Sequence, residues 1–242
     1  MTRATLFLLV CLGACEGTDS APDSSDAPDA SVEMQPGCVA PDSAPEMPST
    51  IEDIVAVINA LPKPLQLPCL LEVLPRPLGV NAAQSILSAQ PASGKRSPRI
   101  FLFLDPLILS IVPAGEGQHL LEFGEQRSET HTLKAELEFP IEAPLDPAVS
   151  PYTRLRFDDD HTTCGFCHAA EEPARDVAHP YARTSRGIRP MPSQHVTVTQ
   201  LQAEVMACDA AEEPERCAML EALFRGGVPV EREFPAEWKT FF

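Results

Sequence analysis

Apolar residues between positions 81 and 142 come in short runs and alternations, the period of strands and not of helices. Ile100-Phe101-Leu102-Phe103-Leu104 and Leu107-Ile108-Leu109-Ser110-Ile111-Val112 are two such runs, broken by Asp105-Pro106. Their length and their β-branched or aromatic content predict buried strands. Leu120-Leu121-Glu122-Phe123 is a shorter candidate. Leu133, Ala135, Leu137 and Phe139 alternate with Lys134, Glu136 and Glu138, which predicts a strand with one face inward and one in water. Gly115, Gly117 and Gly124 punctuate the turns. The pattern as a whole predicts a small antiparallel sheet or sandwich.

Helical spacing brackets this region. Ser49-Thr50-Ile51-Glu52 reads as a capping box, and Ile51, Ile54, Val55 and Ile58 share one face. A helix is expected from Thr50 to about Leu61, stopped by Pro62 and Pro64. Pro68, Pro75 and Pro77 make the rest of 62–80 read as irregular. Pro144, Pro147 and Pro151 mark a linker. Thr197-Val198-Thr199-Gln200 is a second capping box, with Val198, Leu201, Val205 and Cys208 on one face. A further helix from Glu215 to Arg225 sets Cys217, Leu220 and Phe224 on one side and ends at Gly226, with Pro229 beyond. Met206 and Met219 are expected in the core on these helices. Trp238, Phe241 and Phe242 form an aromatic tail expected to anchor in the core.

Composition narrows the function classes. The 242 residues carry 18 Lys and Arg against 35 Asp and Glu, a formal charge of −17. Such a chain repels phosphate backbones, so no nucleic-acid partner is expected, and it repels anionic lipid surfaces too. The N-terminus addresses the membrane differently. Arg3, the apolar run Leu6-Phe7-Leu8-Leu9-Val10-Cys11-Leu12 and small residues at Gly13 and Ala14 make a secretory signal. The run is too short to span a bilayer. Leu12-Gly13-Ala14-Cys15 resembles the lipobox of bacterial lipoproteins, which implies a signal peptide over residues 1–14, cleavage before Cys15 and lipidation of that cysteine. An ordinary signal peptide with a chance cysteine is the alternative. Residues 15–49 then read as a tether. From Glu16 to Ser49 there are eight acids, six prolines and no Lys or Arg, too little apolar surface to offset ordering.

The chemistry sits at Cys164-Gly165-Phe166-Cys167-His168, a C-x-x-C-H motif. This is the attachment signature of a c-type haem, and it resembles the site of monohaem c-type cytochromes. The resemblance covers these five residues. It implies covalent haem c with one iron, thioether links at Cys164 and Cys167, and His168 as proximal ligand. The family's sixth ligand is commonly a Met followed by Pro, a pattern met by Met191 in Arg189-Pro190-Met191-Pro192. His161, His179 and His195 are the other candidates. Two departures stand out: Met191 follows His168 by only 23 residues, and residues 152–163 alternate where the family has an amphipathic helix. The expected fold is therefore α+β. A small antiparallel β-rich, sandwich-like domain of unknown role (50–150) precedes a mainly α-helical cytochrome c-like haem domain (151–242).

The remaining cysteines, Cys38, Cys69, Cys208 and Cys217, can form two disulfides in an exported chain. The local pairing, Cys38 with Cys69 and Cys208 with Cys217, is preferred among three connectivities. The expected function is a lipid-anchored, one-electron carrier at the cell envelope, periplasmic or surface-exposed, with a basic redox protein as partner. No enzyme activity is argued: Ser85, Ser88, Ser93 and Ser97 lack a nucleophile context, and His119 and His131 stand alone near turns. The competing reading is a surface-displayed binding module. There, Cys164 and Cys167 would form a disulfide, as in thioredoxin-like C-x-x-C sites, or would hold zinc with His168 and His161 or His179.

Overall fold

A computed structural model of the chain describes residues 38–240 apart from 87, 89, 169 and 170. The signal segment, Cys15, the first part of the tether, Phe241 and Phe242 lie outside the described residues. The organising element is one eight-stranded sheet. Strands β1 (Gly79–Ala83), β2 (Arg99–Leu104), β3 (Leu107–Ile111), β4 (Leu120–Gln126) and β5 (His131–Glu138) run as an antiparallel meander. Beyond β5 the sheet continues with strands from later in the chain. β7 (Arg183–Arg186) pairs antiparallel with β5, and β6 (Glu172–Pro173) lies outside β7. At the opposite edge β9 (Val230–Glu231) pairs parallel with β1. A separate two-stranded ribbon joins β8 (Ile188–Arg189) to β10 (Lys239–Thr240).

One face of this sheet is apolar. Val80, Leu102, Leu109, Leu121, Leu133 and Leu137 belong to one buried cluster with Ile54 and Ile58 of α1 (Ile51–Ala60), Leu70 and Leu71 of α2 (Leu67–Val73), and Leu220 and Leu223 of α6 (Pro214–Phe224). Each such side chain contributes about 1.5–3 kcal/mol on burial. Helix α1 starts where the sequence indicates, but the box closes between Thr50 and Asp53, not between Ser49 and Glu52. Glu125 of β4 adds a carboxylate at this helix start, accepting from the Ile51 N–H at 2.9 Å. Helix α5 (Val198–Met206) carries the expected Thr197–Gln200 box. Two disulfides, Cys38–Cys69 and Cys208–Cys217, tie residue 38 to α2 and the end of α5 to α6. Met219 is buried, but Met206 is 82% exposed at the end of α5, facing water and not the core.

The expected fold class does not hold. A sandwich-like domain followed by a mainly helical cytochrome c-like domain is replaced by a large mixed sheet with few short helices. Residues after 150 supply β6, β7 and β9 to the same sheet as β1–β5. In place of a long helix before the motif stands α3 (Ser150–Thr153), followed by an isolated bridge between Arg156 and Thr162. The physical reason is scale: a five-residue motif dictates one turn of backbone and leaves the surrounding architecture open.

Candidate functional site

The second face of the sheet is polar, and it is covered. Register places Phe101, Ser110, Glu122 and Glu136 in one cross-strand row and Phe103, Ile108, Gly124 and Lys134 in the next. The alternation of β5 suggested that Lys134 and Glu136 face water; each is only 8% exposed. The cover comes from later chain. Phe234 and Trp238 pack on Phe101, Phe103 and Ile108. The indole of Trp238 lies over Gly187, where a Cβ would come within 2.3 Å of the ring, and Trp238 Nε1–H donates to the Glu129 carbonyl at 3.1 Å. Only glycine lets the ribbon strand approach this closely.

The motif forms the rest of the cover. The short helix α4 (Gly165–His168) opens from Cys164, whose carbonyl accepts from the Cys167 and His168 N–H groups. Glu171 holds the turn by accepting from the Thr162 hydroxyl and, at 3.2 Å, from its N–H. Between this turn and the sheet lies a cavity of about 110 Å³. Cys164, Cys167 and His168 line it from above; Arg99, Ser110, Glu122, Thr132 and Lys134 line it from the sheet. Gly124, opposite Lys134, contributes no side chain and so leaves part of the space open.

The three motif side chains are held differently. Cys164 and Cys167 are unbonded thiols, whereas the other four described cysteines are paired. Burial pushes the Cys164 thiol up to about 12, against the smaller opposing pull of Lys134. His168 Nδ1 lies 2.8 Å from the Arg186 carbonyl oxygen. A carbonyl only accepts, so Nδ1 carries the proton and Nε2 keeps its lone pair. Burial, with Lys134 nearby, pulls the imidazole down to about 3, so it is neutral at physiological pH. Lys134 is itself pulled down to about 8 by burial, and no hydrogen bond to its ammonium is formed among the described residues. Arg99 donates to Ser110 at 2.9 Å and to Ser88 and Glu122. Glu136 accepts from Arg154 at 3.0 Å, and burial raises its carboxyl above the usual range.

The other candidate ligands lie elsewhere. Met191 and His195 line a second, larger cavity of about 530 Å³, with Arg189, Glu231 and Arg232. His195 Nε2 is 3.2 Å from Glu231. His161 is exposed and bonded to Asp158, and His179 packs between Tyr152 and Tyr181. None of these four lines the cavity under the motif. Among the described residues, no group of three or more His, Cys, Asp or Glu is arranged to hold a metal ion.

The donor set under the motif suits a covalently held haem: two unbonded thiols on one turn, and a neutral imidazole whose Nδ1–H is already engaged while Nε2 is available. The cavity itself is smaller than the ~300 Å³ at which cofactor pockets begin. Cys164, Cys167 and His168 line this same small cavity, so the match is one of donor chemistry and not of space. Phe166 is 70% exposed and meets the exposed Phe157 edge-to-face at 4.7 Å. The polar row beneath the motif is the part that sequence reasoning missed. Its residues were legible as one face of β4 and β5, but their cover was not. Comparison with protein families, with curated proteins and with solved structures gives no match to this chain.

Proposed function

We propose that the chain is an exported, lipid-anchored haem c protein that carries single electrons at the cell envelope, built on a β-sheet scaffold. The observation that carries the reading is the state of Cys164, Cys167 and His168: both thiols unbonded, and the imidazole neutral with Nδ1 held by the Arg186 carbonyl. Bound haem supplies a one-electron iron couple. Cys164 and Cys167 would hold the haem by thioether bonds formed by addition of each S–H across a vinyl group, and His168 would ligate its iron. His168 orients a lone pair through the Arg186 carbonyl, and that hydrogen bond also raises its basicity as a ligand. Phe157 and Phe166 supply apolar surface that a macrocycle would remove from water. The charge of −17 favours a basic partner and a salt-sensitive encounter.

A redox-active dithiol has less support. Such sites lower the pKa of the attacking thiol, whereas burial raises that of Cys164. The test is expression with a c-type haem maturation system. The expected product has a Soret band that survives acid-acetone extraction, and Cys164→Ala with Cys167→Ala loses it. A colourless product, or haem that extracts freely, overturns the reading.

A further inference from the structure

The cavity beneath the motif has a chemistry of its own, separate from the outward side of the turn. Its volume of about 110 Å³ is several times a water's ~30 Å³ share of liquid but far below that of a drug-sized pocket. It therefore holds a few heavy atoms. Its charged walls are accounted for pairwise except at Lys134. Glu122 is engaged by Arg99 and Glu136 by Arg154, which also reaches the exposed Glu138 in water. What is left is a set of donors. Lys134 offers an ammonium with no hydrogen-bond partner among the described residues. The Thr132 hydroxyl, fully buried, has none either. Buried polar groups without partners cost free energy, so a site that retains two neighbouring ones is shaped for something that supplies acceptors.

We infer that this cavity is a binding site for a small monoanion of formate or acetate size, held by the Lys134 ammonium and the Thr132 hydroxyl. One negative charge matches the one ammonium that lacks an ion-pair partner. Trp238, Phe234 and the motif turn line the side opposite the sheet, and the small volume favours the smaller anions. Arg99 and Ser110 border the site, bonded to Glu122 and Gln90, and the buried Arg99 Nε–H is a further donor without a partner. Cys164, Cys167 and His168 line the same cavity, so the inference concerns the chain before any haem is attached and is tested on that form.

Trp238 is the chain's single tryptophan and lines this cavity, so its fluorescence reports on occupancy. The full chain, expressed without haem maturation, is titrated at constant ionic strength with sodium formate, sodium acetate, sodium benzoate and neutral formamide. A saturable change with formate and acetate alone is expected. Thr132→Val should weaken it about tenfold, the loss of one hydrogen bond to a charged group. Lys134→Met should abolish it, with circular dichroism confirming that the variant is folded. No saturable response, an equal response to formamide or benzoate, or a response unchanged in both variants overturns the inference. None of these outcomes bears on whether haem attaches to Cys164 and Cys167.

Discussion

Lys134 shows how much one side chain can cost when its strand is covered on both faces. Its ordinary value of 10.5 falls to about 8 in the fold because burial disfavours the ammonium. Below pH 8 the amine is protonated folded and unfolded, and the full penalty of burying charge applies. Between pH 8 and 10.5 the unfolded chain binds more protons at this residue, so stability rises with pH. Above 10.5 the penalty is gone. The shift corresponds to about 3 kcal/mol. Lys134→Met is therefore expected to be the more stable protein at pH 7, by up to about 3 kcal/mol. That gap should close as pH is raised from 8 to 10.5, which urea unfolding of both proteins across this range would measure. A gap independent of pH would remove the assigned cause. A residue retained at such a cost, beside an unpartnered Thr132 hydroxyl, fits a binding role better than a packing role.

At the scale of elements, the two disulfides do unequal work. Cys38–Cys69 closes 31 residues and fastens the segment before α1 onto α2, helped by Glu72, which accepts from the Cys38 N–H at 2.8 Å. Cys208–Cys217 closes only 9, across the α5–α6 turn, where Arg216 also bonds Cys208 Sγ and Glu204. Loop entropy predicts losses of about 4 and about 3 kcal/mol for the respective Ser–Ser variants, in that order in a denaturant series. Where an element carried its own periodic signal, the sequence was readable. The meander β2–β5, the start of α1, α5 and the Glu215–Arg225 helix all lie within a few residues of their expected places, and Gly226 adopts its positive φ of 88°. Helix α2 has no clear sequence signal because Pro68 reads as a breaker, although proline in a first helical turn is well tolerated. The cover over the motif was illegible for a different reason. Strands of two to four residues such as β6, β8, β9 and β10 are too short to show a period, and their partners are fixed only by tertiary pairing. Five motif residues mark a candidate site, but do not tell which surface lies beneath it.

For the whole molecule, the described sheet and the N-terminal segment outside the described residues make separate claims. The proposed lipid at Cys15 predicts that native protein sediments with membranes and is extracted by detergent. Cys15→Ser should shift it to the soluble fraction, or leave it uncleaved, without altering the C-x-x-C-H spectrum. Recovery of the unaltered protein in the soluble fraction would refute the anchor and leave the haem proposal untouched. Within the described residues, chain order adds a consequence for how the motif is reached. Trp238 and Phe234, which roof the space beside Cys164, follow that cysteine by some seventy residues, and their seat at Gly187 is also synthesised after the motif. A chain emerging from its N-terminus therefore presents both thiols and the imidazole on an unroofed sheet before β10 can zip onto β8. In that interval the two sulfurs are reachable without prising open a finished protein.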